Sequence, residues 1–365
     1  MTNIKLVTRF NIINHGSILQ TIATQEFFKT NGYDVEVINY INKKEKFPRI
    51  IKESLKQNNS WNKNVFKRII YFMIKYPSGL LSHIKFSKYR KRLLNLTKEY
   101  NSEEELKKDN FSNCILCSGS DQLWGPIIDG NLDSVYFCSF YDTKKIAFSS
   151  SIGRSVDFDE KYINYLKDFT FITTREESAS KYLSEYVDDC CRIYDPTLMI
   201  NEEYWYNFAD KKKEKNKYIL LYRIHNNPEF EKHVKEISKE KKIKVIRITN
   251  SLEDIFMYGV AKVNIKPEKF LSLIRDAEYV LTDSFHCTLF SLIFKKKFVT
   301  ISPGKTAVRI SDFLEEFDLT HHLVDNSIKE EILNENIDYK KIFSIIHFNR
   351  KKYKDIVLKN MEKLK

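Results

Sequence analysis

The carboxyl-terminal half of the chain alternates short apolar segments with longer amphipathic ones, and this alternation constrains the fold more than any other feature. The strand-like segments are YILLYRI, IKVIRIT, EYVLTDS and FVTIS, and helical patterns cover residues 228–240, 267–276, 286–294 and 308–316. A repeated strand–helix series of this kind forms a parallel, doubly wound sheet with helices on both faces. We therefore predict a Rossmann-like α/β domain over residues 209–330.

The amino-terminal half shows the same pattern with one interruption. Its predicted strands are IKLVTRF, DVEVINY, NCILCSGS, KKIAFSSSIG and FTFITTRE, and its first helix is predicted from about Ser17 to Lys29. These elements predict a second α/β domain over residues 1–208, with a basic helical insert at about 43–98. The polar stretch ADKKKEKNK that follows this domain has no apolar periodicity and is the predicted linker. Residues 331–365 are predicted to form a helical segment. One arrangement of this segment is packing back on the first domain.

The basic insert carries the charge surplus of the whole chain. The net charge is +12, and residues 43–92 contribute 15 Lys and Arg against Glu45 and Glu53, a local balance of +13. Apolar residues alternate with these cations, as in a helix with one basic and one apolar face. Peripheral contact with an anionic membrane is one interpretation, binding of a ligand that carries a polyphosphate is a second, and a solvated, Lys-rich helical segment is the third. The chain has no sequence motif of a nucleic-acid-binding fold, so we expect no nucleic-acid partner.

Cysteine usage and hydropathy favour a cytoplasmic protein. The apolar stretches are too short to span a bilayer, and the first residues lack the pattern of a signal peptide. Of six cysteines, Cys114 and Cys117 form a single C-x-x-C pair inside an apolar strand, which favours buried thiols over a metal site. We therefore expect no metal and no bound cofactor. The expected location is cytoplasmic, with contact at the inner face of the membrane as an open alternative.

The loops after the predicted strands are rich in polar residues, and open parallel sheets bind ligands at this edge. The loop after the first strand opens a helix with His15, Gly16, Ser17 and Gln20. The loop after the third strand is a tight polar turn that contains Ser118, Gly119, Asp121 and Gln122. N–H groups at a helix start suit an anion, and Asp121 suits a sugar hydroxyl or the role of a base. A helix cap and a plain turn are the structural alternatives.

Two arginines also follow predicted strands. Arg175 comes after FITT and Arg223 after YILLY. A guanidinium in this position is suited to bind a carboxylate or a phosphate through two hydrogen bonds. A structural salt bridge is the alternative for both, and for Arg175 the nearest partners in sequence are Glu176 and Glu177.

The segment LTDSFHCTLFS places a titratable side chain at a predicted strand-to-helix junction. Ser284 follows the strand, and His286 lies in the first turn of the helix. Lys305 and Arg309 follow the next strand, whose end lies beside the first in a parallel sheet. We therefore predict that His286, Lys305 and Arg309 converge on one strongly anionic ligand.

Several of these pieces occur together in one known family. The chain resembles the polysaccharide pyruvyl transferases through NHGSILQTIATQEFFKTNGYDVEVINY, SGSDQLW, KKIAFSSSIG, TREES, YDPTLMI, PEKFLSLIRDAEYVLTDSFHCTLFSLIFKKKFV and AVRISDFLEEFDL, in this order. Two positions depart from the family pattern. Cys287 stands where Gly usually follows the His, and Thr174 stands where Val is commoner. Residues 43–100 fall outside the recognised motifs.

The resemblance implies a fold and a reaction. The family fold has two Rossmann-like domains facing across a cleft, like B-type glycosyltransferases. Its members transfer the enolpyruvyl unit of phosphoenolpyruvate to two hydroxyls of a sugar, which yields a pyruvate ketal and phosphate. The implied acceptor is a sugar of a capsule, exopolysaccharide or other cell-envelope glycan, on a lipid-linked or nucleotide-linked precursor. Phosphoenolpyruvate is a co-substrate, and the reaction implies no further cofactor.

The resemblance also implies roles for the residues singled out above. His286 would protonate C3 of phosphoenolpyruvate or only bind the molecule, and Asp121 would hold or deprotonate the acceptor hydroxyl. The implied phosphoenolpyruvate ligands are Arg175, Ser284, His286, Lys305 and Arg309. The residues assigned to the acceptor or the cleft are His15, Gly16, Ser17, Gln20, Ser118, Gly119, Asp121, Gln122 and Arg223.

Two other functions fit the same pattern. A glycosyltransferase that uses a nucleotide-sugar would share the architecture and would need a carboxylate for the ribose in the second domain. A non-catalytic protein of a polysaccharide locus would have lost the cation cluster, which this chain retains. The SGSDQLW and DSFH pieces favour pyruvyl transfer, whereas the fold alone would not decide.

Overall fold

The protein divides into two compact units, which a computed structural model describes over residues 2–153, 158–304, 307–325 and 327–364. Unit 1 comprises Met1–Ile200 and Arg350–Lys365, and unit 2 comprises Asn201–Asn349. Each unit is built on one parallel sheet with helices. The predicted fold class of two doubly wound α/β domains is therefore confirmed.

Unit 1 has a parallel sheet whose strand order reverses in the middle. Its strands in the described ranges are β1 (Asn3–Val7), β2 (Asp34–Tyr40), β3 (Leu96–Tyr100), β4 (Cys114–Ser118), β5 (Asp121–Gln122), β6 (Lys145–Ser151), β7 (Phe171–Thr174) and β8 (Cys190–Arg192). The order is β3-β2-β1-β4-β6-β7-β8, and β5 pairs with β6. The order reverses between β1 and β4, and such a switch point is where open α/β sheets bind ligands.

The helices of unit 1 connect these strands and include the basic insert. They are α1 (His15–Thr30), α2 (Arg49–Gln57), α3 (Val65–Leu93), α4 (Glu103–Lys107), α5 (Glu160–Lys167), α6 (Glu177–Leu183) and α7 (Pro196–Met199). Helix α1 begins two residues before the predicted Ser17 because Asn14 is its N-cap and accepts from the N–H of Gly16 at 2.7 Å. The insert predicted at 43–98 consists of α2, α3 and the start of β3.

Unit 2 repeats the architecture with a second reversal. Its strands are β9 (Tyr218–Tyr222), β10 (Lys244–Thr249), β11 (Val260–Val263), β12 (Tyr279–Thr282), β13 (Lys297–Ile301) and β14 (Leu323–Val324), in the order β11-β10-β9-β12-β13-β14. Its helices are α8 (Glu202–Phe208), α9 (Pro228–Lys241), α10 (Pro267–Arg275), α11 (Phe285–Ile293), α12 (Val308–Glu315), α13 (Glu330–Asn334) and α14 (Tyr339–Glu362). The order reverses between β9 and β12, which defines a second switch point.

The observed boundary between the units differs from the predicted one at 209. Helix α8 belongs to unit 2 because the buried indole of Trp205 meets the ring of Phe290 edge-on, with 5.0 Å between the centroids. The Lys-rich stretch 209–217 is therefore a loop inside unit 2 and not a linker. The end of α14 belongs to unit 1, since Arg350 Nε donates to the carbonyl of Leu198 at 2.6 Å.

Candidate functional site

The carboxyl edge of the unit 1 sheet carries a buried ionic cluster centred on Arg175. The Nη1 atom of Arg175 donates to Asp195 Oδ2 at 2.6 Å, and its Nη2 atom donates to Asp121 Oδ1 at 3.2 Å. The hydroxyl of Ser17 donates to the second oxygen of Asp121 at 2.8 Å. The side chain of Arg175 is only 3% exposed. One cation is thus held between two carboxylates, with almost no access to water.

The two carboxylates keep Arg175 charged despite its burial. Burial alone would lower the pKa of the guanidinium, but the charges of Asp195 and Asp121 outweigh it and raise that pKa above the ordinary value. The hydrogen-bonded carboxylates come from segments distant in sequence, whereas the salt bridge considered from the sequence was to Glu176 or Glu177. Asp195 was not predicted, although the Asp-Pro step after a strand-like segment is a helix-start signal.

Asp121 reaches this cluster from a tightly packed turn after β4. Gly119 has φ +138, and a Cβ there would lie 2.1 Å from the carbonyl oxygen of Phe148, so the position requires glycine. Asp121 itself has φ 100, a region that non-glycine residues occupy only when their surroundings hold them. Thr8 helps to stabilise this turn, because its hydroxyl donates to the carbonyl of Ser120 at 2.5 Å.

Several predicted acceptor residues of unit 1 are engaged in internal hydrogen bonds. Gln20 donates to the hydroxyl of Thr8 at 3.1 Å, and Ser118 donates to the carbonyl of Tyr136 at 2.6 Å. Gln122 donates its backbone N–H to Asp121 Oδ1 at 2.7 Å. The imidazole of His15 is buried edge-on against Phe86 of α3, with 5.1 Å between the ring centroids. Ser17 differs from these residues in that its hydroxyl donates to the Asp121 carboxylate, at 2.8 Å.

At the carboxyl edge of the unit 2 sheet, Asp283 forms hydrogen bonds with the loop that follows β9. Its Oδ1 accepts from the backbone N–H of Ile224 at 2.6 Å, and its Oδ2 accepts from that of His225 at 2.8 Å. The Nδ1 atom of His225 lies 3.0 Å from the same Oδ2. Because Ile224 and His225 follow β9 and Asp283 follows β12, this carboxylate joins the two loops at the switch point.

The imidazole of His225 is the second titratable group at this edge, and sequence reasoning did not single it out. Its hydrogen bond to Asp283 raises the pKa of His225, against the opposing effect of partial burial. The side chain is about half exposed. The signal in the sequence was the polar run that directly follows YILLYRI, in the loop position where ligand-binding residues were expected.

His286 lies where the sequence predicted it, in the first turn of α11. Ser284 is the N-cap, and its hydroxyl accepts from the N–H of Cys287 at 3.4 Å. The ring of Phe285 meets that of His286 edge-on at 5.3 Å, and the guanidinium carbon of Arg309 lies 5.8 Å from the Phe285 centroid. The structure therefore gathers His286 and Arg309 around one aromatic ring. Lys305, the third predicted cation, lies outside the described residues.

The two departures from the family pattern affect packing inside the units. Cys287 is fully buried, and burial raises the pKa of its thiol to about 12, so it is an inert core group. The hydroxyl of Thr174 donates to the carbonyl of Glu176 at 3.0 Å and is likewise buried. Neither side chain adds an exposed reactive group at the sheet edges.

Arg223 is held by two carboxylates of unit 2. Its Nε lies 2.5 Å from Glu231 Oε1, its Nη2 lies 3.5 Å from Asp254 Oδ1, and its side chain is 10% exposed. This geometry matches the salt-bridge alternative considered from the sequence. A role for Arg223 in acceptor binding stays a prediction.

The two units define an α/β protein with polar clusters at the switch points of two parallel sheets, which is the class that binds charged or polyhydroxylated ligands at strand ends. The family model described as polysaccharide pyruvyl transferase matches residues 14–305. The chain belongs to this family. The match spans both edge clusters, from Ser17 and Asp121 in unit 1 to Ser284 and His286 in unit 2.

Solved structures with a similar fold include a co-structure with UDP and a UDP-GlcNAc 2-epimerase. MnaA of S. aureus, in a co-structure with UDP, has a TM-score of 0.51 at 10% identity, covering 95% of this chain and 88% of its own. The UDP-GlcNAc 2-epimerase of Methanocaldococcus jannaschii has a TM-score of 0.51 at 14% identity, covering 95% and 99%. At these identities the likeness shows the fold alone. No curated protein sequence matches the chain.

Proposed function

We propose that this protein transfers the enolpyruvyl unit of phosphoenolpyruvate to two hydroxyls of a sugar, forming a pyruvate ketal and releasing phosphate. The observation that carries the proposal is the family match across residues 14–305, which includes Ser17 and Asp121 of unit 1 and Ser284 and His286 of unit 2. The family itself is one of transferases in polysaccharide synthesis. The donor, the ketal product and the residue roles are the proposed part.

Unit 2 is proposed to bind the donor, because its edge combines cationic groups with an engaged carboxylate. Phosphoenolpyruvate carries up to about three negative charges near neutral pH, so a carboxylate that faced it would repel it. The oxygens of Asp283 accept from the N–H groups of Ile224 and His225, which compensates its charge locally. His286 and Arg309 lie around Phe285, and we propose both as donor ligands together with Ser284 and Lys305.

Unit 1 is proposed to bind the acceptor through Asp121. Its carboxylate already accepts a hydrogen bond from one hydroxyl, that of Ser17 at 2.8 Å, so a sugar hydroxyl is a chemically similar ligand. Arg175 was expected from the sequence to bind phosphoenolpyruvate. Its guanidinium is shared between Asp121 and Asp195, and this geometry favours a positioning role in which Arg175 orients Asp121.

The proposed reaction needs one acid and one base. Protonation of C3 of phosphoenolpyruvate by His286 makes C2 electrophilic, and the first sugar hydroxyl adds there as Asp121 accepts its proton. The bond from C2 to the phosphate oxygen then breaks, and the second hydroxyl closes the ketal at C2 as its proton passes to the His286 imidazole, which the first step left neutral. His286, Lys305 and Arg309 would stabilise the charge of the departing phosphate.

The test is phosphate release from phosphoenolpyruvate in the presence of candidate sugar acceptors, with the ketal carbon followed by NMR. We expect acceptor-dependent release that His286→Ala reduces strongly while leaving the fold intact. A wild-type protein that transfers sugar from a uridine-diphosphate sugar, and ignores phosphoenolpyruvate, would establish the glycosyltransferase alternative instead.

We also propose that helix α3 holds the protein at an anionic membrane, where lipid-linked acceptors would be met. Six large apolar side chains spaced by three or four residues form one exposed stripe: Phe66, Ile69, Met73, Tyr76, Leu80 and Ile84. Their exposed fractions run from 36% to 73%. Residues at this spacing share one face of a helix, and exposed apolar stripes of this size mark interaction surfaces.

The charge of α3 favours a membrane over a second copy of the chain. The helix contains no Asp or Glu, and exposed Lys85, Lys88 and Arg92 lie on the face next to the apolar stripe. Two such helices would repel each other, whereas anionic lipid attracts both features at once. None of the helices in the described ranges is long and apolar enough to cross a bilayer, which leaves surface contact as the proposed mode.

Vesicle sedimentation tests this surface with matched variants. The combined change Phe66→Gln, Ile69→Gln and Met73→Gln should weaken binding to anionic vesicles at least tenfold, because it removes the apolar contact. Lys85→Gln with Lys88→Gln should weaken it at low salt, whereas exposed Lys211→Gln with Lys212→Gln should not. A wild-type protein that stays in the supernatant with anionic vesicles at low salt would end the proposal.

A further inference from the structure

Three metal-ligating side chains meet in unit 2 at the end of the sheet opposite to His286. His321 and His322 end a short turn, Thr320–His322, directly before β14, and Glu335 follows α13. One ring nitrogen of each histidine and one carboxylate oxygen of Glu335 all lie within 4.8 Å of one another. These residues lie at the amino end of β14, so they are separate from the proposed donor edge at the carboxyl ends of the strands.

The distances place one carboxylate oxygen between two imidazoles. Glu335 Oε2 lies 2.6 Å from His321 Nε2 and 3.2 Å from His322 Nε2. The two rings are 4.7 Å apart, so adjacent residues direct their Nε2 atoms to the same point. Ligand atoms around a tetrahedral zinc ion lie about 3.4 Å apart, given bonds of about 2.1 Å. The observed distances between ligand atoms are close to this value, so small side-chain movements would let the three residues bind such an ion.

The environment of His322 fixes which nitrogen carries its proton. Its Nδ1 atom lies 2.8 Å from the carbonyl oxygen of Phe298, which only accepts, so Nδ1 carries the proton. A metal-ligating histidine usually makes this kind of bond with its other nitrogen. In this tautomer the lone pair of Nε2 is available to a metal ion on the side of Glu335. Imidazole nitrogens together with a carboxylate oxygen form the ligand set of many zinc sites.

We propose that His321, His322 and Glu335 bind a divalent transition-metal ion of the zinc class, with a structural role. The ion would tie the turn before β14 to the end of α13 and, through His322, to β13. Two imidazoles and one carboxylate are a nitrogen and oxygen set that suits zinc and excludes magnesium, which prefers oxygen ligands. The proposed site takes no part in pyruvyl transfer, and its test is independent of that activity.

Calorimetric titration of the purified, chelator-treated protein with zinc chloride tests the site. We expect one zinc ion per chain, a higher melting temperature with zinc, and no such effect of magnesium. His321→Ala and Glu335→Gln should each weaken zinc binding at least tenfold. Both residues lie partly exposed at the surface, so these changes spare the core that a substitution of buried His322 would disturb.

A surface pair of the same chemistry is the matched control. His347 Nε2 lies 2.7 Å from Glu202 Oε1, and in the described part of the chain these two belong to no group of three possible metal ligands, so His347→Ala should leave zinc binding unchanged. The chain also has six free cysteines that could bind zinc, and cobalt substitution separates the two ligand sets. A cobalt spectrum with a sulfur charge-transfer band, a wild-type protein that binds no zinc, or unchanged binding by His321→Ala would each overturn the proposal.

Discussion

The loops at the switch points of the two sheets place their carboxylates in different surroundings. In unit 1, Arg175 lies between Asp121 and Asp195, so one buried cation faces two carboxylates. In unit 2, Asp283 accepts from two backbone N–H groups, and the ring of His286 and the guanidinium of Arg309 lie around Phe285. On this basis we propose that the unit 1 edge binds hydroxyls and that the unit 2 edge binds an anion.

The largest expected effect is on the unit 2 edge. His286→Ala should lower the rate of phosphate release from phosphoenolpyruvate by about 10²- to 10⁴-fold, the range for loss of a general acid. The measurement is the steady-state rate with saturating acceptor, and circular dichroism confirms the fold. His347→Ala, a surface histidine of the same unit, should leave the rate unchanged. Full activity in His286→Ala would contradict the proposed role of His286 as the general acid.

The next effect separates the two carboxylates of unit 1. Asp195→Ala should lower the free energy of unfolding by about 3–5 kcal/mol, because it breaks a buried ion pair with Arg175. It also removes the helix cap of α7, where Asp195 accepts from the N–H of Thr197 at 3.0 Å. The readout is the urea midpoint of unit 1, followed by a fluorescence probe in that unit.

Asp121→Asn is the partner of that experiment. It keeps the closer ion pair of Arg175 with Asp195, so we expect a smaller loss in the free energy of unfolding than for Asp195→Ala. Because the variant lacks the proposed base, we also expect the rate of phosphate release to fall at least about 100-fold. Comparable unfolding midpoints for the two variants, with undiminished phosphate release by Asp121→Asn, would mean that both carboxylates are structural.

A moderate effect is expected where Asp283 joins two loops. Asp283→Asn replaces a charged acceptor by an amide, whose nitrogen has to face either Ile224 or His225 and repels an N–H there. We expect a loss of about 1.5–3 kcal/mol in the free energy of unfolding of unit 2, the usual size for a hydrogen bond to a charged group. Thermal unfolding at neutral pH measures it, and a change below the error of the fit would contradict the proposed joining role.

The smallest effect is the pH dependence of the His225 pair. Because Asp283 raises the pKa of His225 in the folded protein, the pair stabilises unit 2 fully below the ordinary histidine pKa of about 6.5. That contribution is lost as the pH rises through the higher folded value. NMR titration should show His225 titrating above the ordinary value in the wild type and lower in Asp283→Asn. Titration of His225 below its ordinary value would contradict the geometry.

Most strands and helices of unit 2 followed from the sequence because their apolar periodicity is strong. Helix α9 was predicted at 228–240 and spans Pro228–Lys241, and α12 was predicted at 308–316 and spans Val308–Glu315. The missed strands are short or polar edge strands, such as β3 with the sequence LTKEY and β11 with VAKV. An edge strand is held by one neighbour, so its residues need not be apolar and leave a weak pattern.

The sequence predicted which residues of the candidate site lie at the sheet edges, but not which residues they pair with. Strand ends and helix starts leave local signals, which placed Asp121, Arg175 and His286 at sheet edges. The pairing of Arg175 with Asp195 and Asp121 joins residues 20 and 54 positions apart, and a local pattern carries no information about such contacts. The same holds for His225 and Asp283, which meet only because β9 and β12 are neighbours in the sheet.

Calorimetry tests most directly whether the unit 2 edge binds phosphoenolpyruvate. Phosphoenolpyruvate and a uridine-diphosphate sugar would be titrated separately into the wild type, His286→Ala and Lys305→Ala. We predict that the wild type binds phosphoenolpyruvate in preference to the nucleotide-sugar and that both variants bind it at least tenfold more weakly. Preferential binding of the nucleotide-sugar, or undiminished binding of phosphoenolpyruvate by both variants, would contradict this prediction.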